Sequence, residues 1–193
     1  MDQKPEDIAA DLADIQAAQK GDATAFRRLV EKYHSYIYNL CRRVTLNPQD
    51  AADQTQETFL SFYAHLKDYQ PGLKLSNWLY TIALNQCRKQ LRRKKIVRFF
   101  SLSHDEKLHE PPASGSSPDQ GIRRDQSQAL LDKLVVSLPE SYRPVFILRY
   151  FEDRTEEEMA QILGITIENV RVRIHRARRL LWEKHGSLIK EYL

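Results

Sequence analysis

The segment from Thr155 to Leu181 constrains the fold of this 193-residue chain more than any other. Thr155 and Glu158 have the spacing of a capping box, in which each side chain accepts a hydrogen bond from a free backbone N–H of the other residue. Gly164 stands where a helix ends in the left-handed conformation, and Thr166 is placed to cap a second helix. Two helices joined by so short a turn are typical of a helix-turn-helix motif.

A helical wheel of the second helix separates a core stripe from a cationic face. Val170, Ile174, Ala177 and Leu181 form the predicted core stripe. Arginine forks pair with guanine edges or phosphates, and a small apolar group can contact a thymine methyl. A solvated basic face is the alternative, but ordinary exposed helices mix Glu with Lys four residues apart. We therefore predict DNA binding by the acid-free face, which carries Arg171, Val172, His175, Arg176 and Arg179.

Composition limits the class of protein. Thirty Lys and Arg residues against 26 acids give a mild net charge of +4. Cys41 and Cys87 form no CxxC pair, so they are expected to be small buried residues in a reducing compartment. There is no Gly-rich phosphate loop, nucleophile elbow or metal-ligand spacing, which predicts a protein that is not an enzyme and needs no cofactor. No apolar run has the length of a membrane span, and no signal peptide is evident, so we expect a cytoplasmic protein without membrane insertion.

The distribution of Gly, Pro and apolar residues predicts an all-α fold of two small helical domains joined by a flexible linker. Helical periodicity dominates the first part, with helices expected up to Lys20, from Asp22, over Asp50 to Lys67 and over Ser76 to about Lys95. Ser, Pro, Gly and charged residues then replace the periodic pattern. The predicted domains are residues 1–97 and 124–193, with residues 98–123 as the linker.

The helix from Asp50 to Lys67 is predicted to have two unlike faces. One is a core stripe of Ala52, Phe59, Phe62, Tyr63 and Leu66, and the other carries Asp53, Glu57 and Leu60. An apolar residue among acids is compatible with a docking surface for a basic partner, although a solvated face is the simpler interpretation.

The next helix joins aromatic residues to a run of cations. Trp78 and Tyr80 are more often core residues than stacking platforms. They are followed by Arg88 to Arg98, which holds seven bases and no acid. Cations that follow a phosphate backbone, beside loop residues able to accept an unstacked base, are what single-stranded DNA binding uses. Basic runs alone serve many purposes, so this run is weak evidence by itself.

In combination these segments resemble a bacterial sigma factor of the extracytoplasmic-function (ECF) type. The stretch DAADQTQETFL at residues 50–60 is similar to the polymerase-binding helix of that family. NWLYTIALN at residues 77–85 is similar to the region that opens the −10 promoter element. LPESYRPVFILRYFEDRTEEEMAQILGITIENVRVRIHRARRLL at residues 138–181 is similar to the region that reads the −35 element.

The resemblance implies partners and site residues. Core RNA polymerase, through its β′ clamp helices and β flap, promoter DNA and an anti-sigma factor are the implied partners. The implied polymerase contacts are Asp53, Gln56, Glu57 and Leu60. The implied −10 contacts are Tyr69, Lys74, Ser76, Asn77, Trp78, Asn85, Arg88 and Arg92. The cationic face of the second helix would enter the −35 major groove.

Two other functions fit parts of the pattern. A free-standing helix-turn-helix repressor or activator would bind duplex DNA alone and would use the first domain for dimerisation or ligand sensing. An RNA-binding protein would use the Arg88 to Arg98 run and leave the helix-turn-helix without a role. A sigma factor, which lends promoter specificity to core polymerase, uses every segment named above.

Overall fold

The computed structural model describes residues 5–70, 72, 74–101 and 124–189, and in them the chain forms eight α-helices. Most of the segment predicted to be a linker lies outside these residues. The first domain contains α1 (Pro5–Gln19), α2 (Ala23–Thr45), α3 (Pro48–Ala64) and α4 (Leu75–Ser101), and a short 3-10 helix (Leu66–Asp68) precedes α4. The second domain contains α5 (Arg124–Ser137), α6 (Arg143–Tyr150), α7 (Glu156–Leu163) and α8 (Ile167–Ile189). The all-α prediction is confirmed.

Helix α2 is the central element of the first domain. Asp22 caps its start by accepting from the backbone N–H groups of Thr24 and Ala25, and its last turn ends at Leu46 in the left-handed conformation. Helical periodicity predicts an apolar stripe on this helix, and its members are buried or packed against the core; they are Phe26, Leu29, Val30, Tyr33, Ile37, Leu40 and Val44. That stripe contacts α1, α3 and α4, so burial of one long amphipathic helix holds the bundle together.

The predicted core face of α3 is partly wrong. Ala52 and Tyr63 are exposed, whereas Thr55 and Thr58 are buried. The Thr55 hydroxyl donates to the Ala51 carbonyl at 2.7 Å, and the Thr58 hydroxyl donates to the Gln54 carbonyl at 2.6 Å. Because each buried hydroxyl is satisfied within its own helix, threonine can occupy a core position without a partner on another element.

Several predicted boundaries also shift. Helix α3 begins at Pro48, after the N-cap residue Asn47, and ends at Ala64 rather than Lys67. Helix α4 continues to Ser101, past the expected end at Lys95 and into the segment predicted to be a linker. In α1, helical periodicity groups Ile8 with Leu12 and Ile15 on a predicted apolar side, but Ile8 is exposed.

The helix-turn-helix agrees closely with the prediction. Thr155 and Glu158 form both hydrogen bonds of the capping box, at 3.1 and 3.2 Å. Gly164 adopts φ +64°, in the left-handed region where glycine is favoured, and ends α7. Thr166 accepts from the backbone N–H of Asn169 at 3.2 Å, as an N-cap residue does. Of the predicted core stripe of α8, only Ile174 is incompletely buried.

The two domains pack against each other through a polar network and a continuous apolar core. The Tyr80 hydroxyl of α4 donates to the Glu152 carboxylate, and the Arg154 guanidinium lies 5.0 Å from the centre of the Tyr80 ring. Lys74 Nζ lies 2.8 Å from Glu158, which places the start of α4 against α7. Two ion pairs lie away from this network, Lys95–Glu140 at 2.8 Å and Arg43–Asp132 at 3.1 Å. We call this packing the closed arrangement.

Candidate nucleic-acid and polymerase interfaces

The cationic face of α8 is open to solvent in the closed arrangement. Its five predicted residues, Arg171, Val172, His175, Arg176 and Arg179, are all exposed. Val172 is 45% exposed, as expected of an apolar residue that lies outside the core. Arg179 lies 3.5 Å from Glu183 within the same helix, and both side chains remain well exposed. The face can therefore approach a major groove without rearrangement of the domain.

An acid from a different helix pairs with this face and was not predicted from the sequence. Glu156, at the first position of α7, accepts a hydrogen bond from Arg171 Nε at 2.6 Å. That bond is the main reason that the pKa of Arg171 is raised above its ordinary value. The two residues come from different helices and are 15 positions apart, so no helical-wheel analysis of α8 alone could have found the pair.

An open groove of about 470 Å³ borders the Glu156–Arg171 pair. Trp182, half exposed, forms its far end one turn beyond Arg179. The groove is predominantly cationic, with one carboxylate among its lining residues, which are Glu156, Arg171, Ile174, His175, Arg178, Arg179 and Trp182. Ile174, the one residue of the predicted core stripe that is only partly buried, is among these lining residues.

The residues predicted to contact the −10 element lie on α4 and in the loop before it, and they differ in accessibility. Tyr69 and Trp78 are brought together, with ring centroids 5.5 Å apart, and Trp78 also packs edge-on against Phe62. Asn85 accepts from Arg88 at 3.5 Å. Ser76 is only 3% exposed, so its side chain is not presented at the surface. The aromatic pair therefore combines core packing with a partly exposed edge.

The closed arrangement occupies part of the predicted −10 surface. Lys74 is paired with Glu158 of the second domain. Burial acts to raise the pKa of Glu158, but the hydrogen bonds from Lys74 and from the Thr155 backbone, with the nearby charge of Arg154, outweigh burial and lower that pKa. Glu158 therefore stays ionised and pairs with Lys74, which is predicted to contact the −10 element.

Cations of the Arg88 to Arg98 run differ in their surroundings. Lys94 is paired with Asp50, which also accepts from Gln90 at 2.9 Å, and Lys95 is paired with Glu140. Burial lowers the pKa of Arg88, with smaller contributions from the charges of Arg173 and Arg92. Arg92 and Lys89 are exposed. Two of the lysines therefore pair with acids of the protein itself, while Arg92 and Arg93 are exposed and Arg88 lies near the charges of Arg92 and Arg173.

The predicted polymerase-binding residues form one exposed surface on α3. Asp53, Gln56, Glu57 and Leu60 are all exposed, and Leu60 retains 55% of its surface. Tyr63, wrongly assigned to the core, is 63% exposed and lies one helical turn from Leu60. It packs edge-on against Phe26, with ring centroids 5.0 Å apart. Two large exposed side chains beside two acids make this an amphipathic surface.

Cys41 and Cys87 are buried and free of disulfide bonds, as predicted. Within residues 5–101 and 124–189, apart from the two gaps before α4, no helix combines the length and apolar character needed to cross a bilayer.

Comparisons with known proteins identify both domains. The family model "Sigma-70 region 2" matches residues 29–96, and the model "Sigma-70, region 4" matches residues 128–181. The ECF RNA polymerase sigma factor SigW of Bacillus subtilis (strain 168) is 31% identical over 172 residues, which cover 86% of this chain and 92% of the relative.

Two solved structures share the fold. CnrH, in complex with the cytosolic domain of CnrY, has a TM-score of 0.64 at 23% identity, covering 95% of this chain and 99% of that chain. The sigma factor RpoE from Bartonella quintana, in complex with the anti-sigma factor NepR, has a TM-score of 0.62 at 24% identity, covering 82% and 94%.

A helical region 2 followed by a helix-turn-helix region 4 defines a sigma-70-type transcription factor. The chain belongs to the ECF family of RNA polymerase sigma factors. The resemblance drawn from the sequence is confirmed. The free-standing repressor is not supported, because the first domain matches region 2 rather than a sensor or dimerisation domain.

Proposed function

We propose that the chain binds core RNA polymerase through the exposed surface of α3 and directs it to promoters with a −10 and a −35 element. In this proposal α8 reads the −35 element, while the loop before α4 and the exposed edge of α4 hold the opened −10 strand. The protein contributes recognition, and the catalytic centre belongs to the polymerase. The observation that carries the proposal is the exposed cationic face of α8 on a capped helix-turn-helix.

The closed arrangement must open for this function. The names of the two promoter elements place them about 25 base pairs apart, which is roughly 80 Å of duplex at about 34 Å per turn. In the structure α4 packs directly on α7. Both elements can therefore be engaged together only after the Lys74–Glu158 and Tyr80–Glu152 contacts are broken.

An anti-sigma factor is the proposed regulator. RpoE, a sigma factor of the same fold, was solved in complex with the anti-sigma factor NepR. An inhibitor that covers α3 would compete with the polymerase for Leu60 and its acidic neighbours. The proposal requires no cofactor and places the protein in the compartment of the polymerase, the cytoplasm.

Run-off transcription with purified bacterial core polymerase on genomic fragments tests the proposal. Adding the protein should produce discrete new transcripts. Arg176→Ala should reduce them about 10- to 100-fold, because one bidentate base contact is worth about 1–3 kcal/mol, while binding to core polymerase is retained. Arg27→Ala, which removes an exposed arginine from α2, is the matched control. A protein that shifts duplex DNA alone but leaves core polymerase unaffected would refute the proposal.

Leu60→Asp is expected to weaken binding to core polymerase at least about tenfold, as truncation of a central interface residue commonly does. Leu60 is exposed, so the substitution should leave folding nearly unchanged. Fluorescence anisotropy of labelled protein titrated with core polymerase measures the affinity. Ile8→Asp places the same charge at an exposed apolar position of α1 and should bind normally. Equal affinity of the Leu60 variant and the wild type would remove α3 from the interface.

A further inference from the structure

Arg171 is held differently from the other arginines of the α8 face. Its Nε donates to Glu156 of another helix at 2.6 Å; the Arg171 side chain is 62% exposed and the Glu156 side chain 31%. Arg179, by contrast, lies 3.5 Å from Glu183 four residues later in its own helix, and both of those side chains are largely exposed. A short bond between helices fixes a guanidinium relative to the whole motif, whereas a long exposed pair within one helix does not.

The hydrogen bond to Glu156 uses Nε of Arg171 and leaves its two terminal nitrogens available to contact a base. A guanidinium has five N–H donors in a planar fork, and Glu156 takes the one on Nε. The two terminal nitrogens can then donate in parallel to the O6 and N7 acceptors of a guanine. Arg171 lines the open groove beside His175, so the fork adjoins free space on the side where DNA would approach.

A carboxylate at this place also disfavours the competing contact. An unrestrained arginine can pair with a phosphate in many rotamers, and phosphate contacts carry no sequence information. Glu156 repels a phosphate that approaches Arg171, and its hydrogen bond restricts the side chain to fewer rotamers before DNA arrives. Glu156 therefore lowers the affinity for DNA of any sequence and raises the discrimination between sequences, as repulsive elements in specific interfaces do.

We propose that Glu156 is a positioning residue that orients Arg171 to read a guanine edge in the −35 element. This inference rests on the proposed −35 role of α8 and adds a specificity-determining residue from α7, outside the recognition helix.

The experiment uses holoenzyme, formed from core polymerase and the full chain, and a promoter that the wild-type holoenzyme opens. The upstream element of that promoter is randomised, and the bound or transcribed sequences are counted.

The wild type should prefer guanine at one position, and Arg171→Ala should abolish that preference. Glu156→Ala should reduce it about tenfold at the same position only, and should raise affinity for unrelated duplex a few-fold, because a negative charge is lost. Glu156→Gln, which keeps an acceptor oxygen, should restore part of the preference. Glu183→Ala should change neither quantity.

Three results would overturn the inference. The first is a Glu156→Ala variant that leaves unchanged the preference that Arg171→Ala abolishes. The second is a Glu156→Ala variant that reduces preferences equally at all positions, as loss of the α7 fold would. Circular dichroism melting of the same variants identifies that second case. A wild-type holoenzyme without any upstream preference would refute the −35 role itself, and the inference with it, so the two failures are distinguishable.

Discussion

Replacing Arg154 with alanine is expected to separate the two domains of the free protein without unfolding either. Arg154 is only 5% exposed and lies between the Tyr80 ring and Glu158, 3.8 Å from that carboxylate. Its loss takes one cation from the half-buried Glu158, which is left paired with Lys74, and removes the guanidinium from the face of the Tyr80 ring, whose hydroxyl donates to the buried Glu152. Removing one partner of a buried ionic group typically costs about 3–5 kcal/mol, and here the carboxylates can regain water by domain separation.

Spin labels at Gln16→Cys and Lys133→Cys, exposed positions on α1 and α5, would measure the separation. The native cysteines are buried and should not compete for label. The Arg154→Ala variant should show a longer and broader distance distribution and unchanged helical circular dichroism. Arg149→Ala, which removes an exposed arginine of α6, should match the wild type. An unchanged distribution in the Arg154 variant would show that apolar packing alone maintains the closed arrangement.

Phe62→Ala should lower the free energy of unfolding of the first domain by about 3–5 kcal/mol. Phe62 is fully buried, and its ring lies 5.5 Å from the rings of both Phe26 and Trp78. Small domains are stable by only about 5–15 kcal/mol, so this single change should bring the domain close to unfolding.

Tyr63→Ala is the matched control for Phe62→Ala, because it removes the adjacent aromatic ring on the same helix. Tyr63 is mostly exposed and contacts Phe26 at its edge, so its loss should cost no more than about 1.5 kcal/mol. Urea denaturation in a Trp182→Phe background, followed by fluorescence of Trp78, which packs on Phe62, measures both changes. Equal losses for the two variants would mean that Tyr63 belongs to the core after all.

The contrast between these neighbours shows where sequence reasoning was sufficient. The capping box at Thr155 and the left-handed Gly164 follow rules that depend on a few adjacent residues, and both were predicted correctly. The face of α3 was misassigned because Thr55 and Thr58 resemble surface residues by composition. Each instead bonds to a carbonyl one turn earlier and is buried.

The contacts between domains could not be predicted, because charged residues are usually exposed. Glu152 is buried and accepts a hydrogen bond from the hydroxyl of Tyr80, 72 positions earlier in the chain. Glu156 was missed for the same reason, since its role depends on how α7 crosses α8. The exposed residues of α8 were predicted correctly because helical periodicity alone separates them from the core.

Because the two domains share a core, the level of transcription should depend on the fraction of molecules in which the domains are separated. Any partner that binds only the separated form has its apparent affinity reduced in proportion to the fraction of molecules already separated. If closure is worth about 3 kcal/mol, that reduction is about 150-fold. Substitutions at Tyr80, Glu152 or Arg154 would then change transcription of all target promoters together, whereas substitutions on α8 would change which promoters are chosen. The contact between the two domains would therefore set the overall level of transcription without changing the preference for promoter sequence.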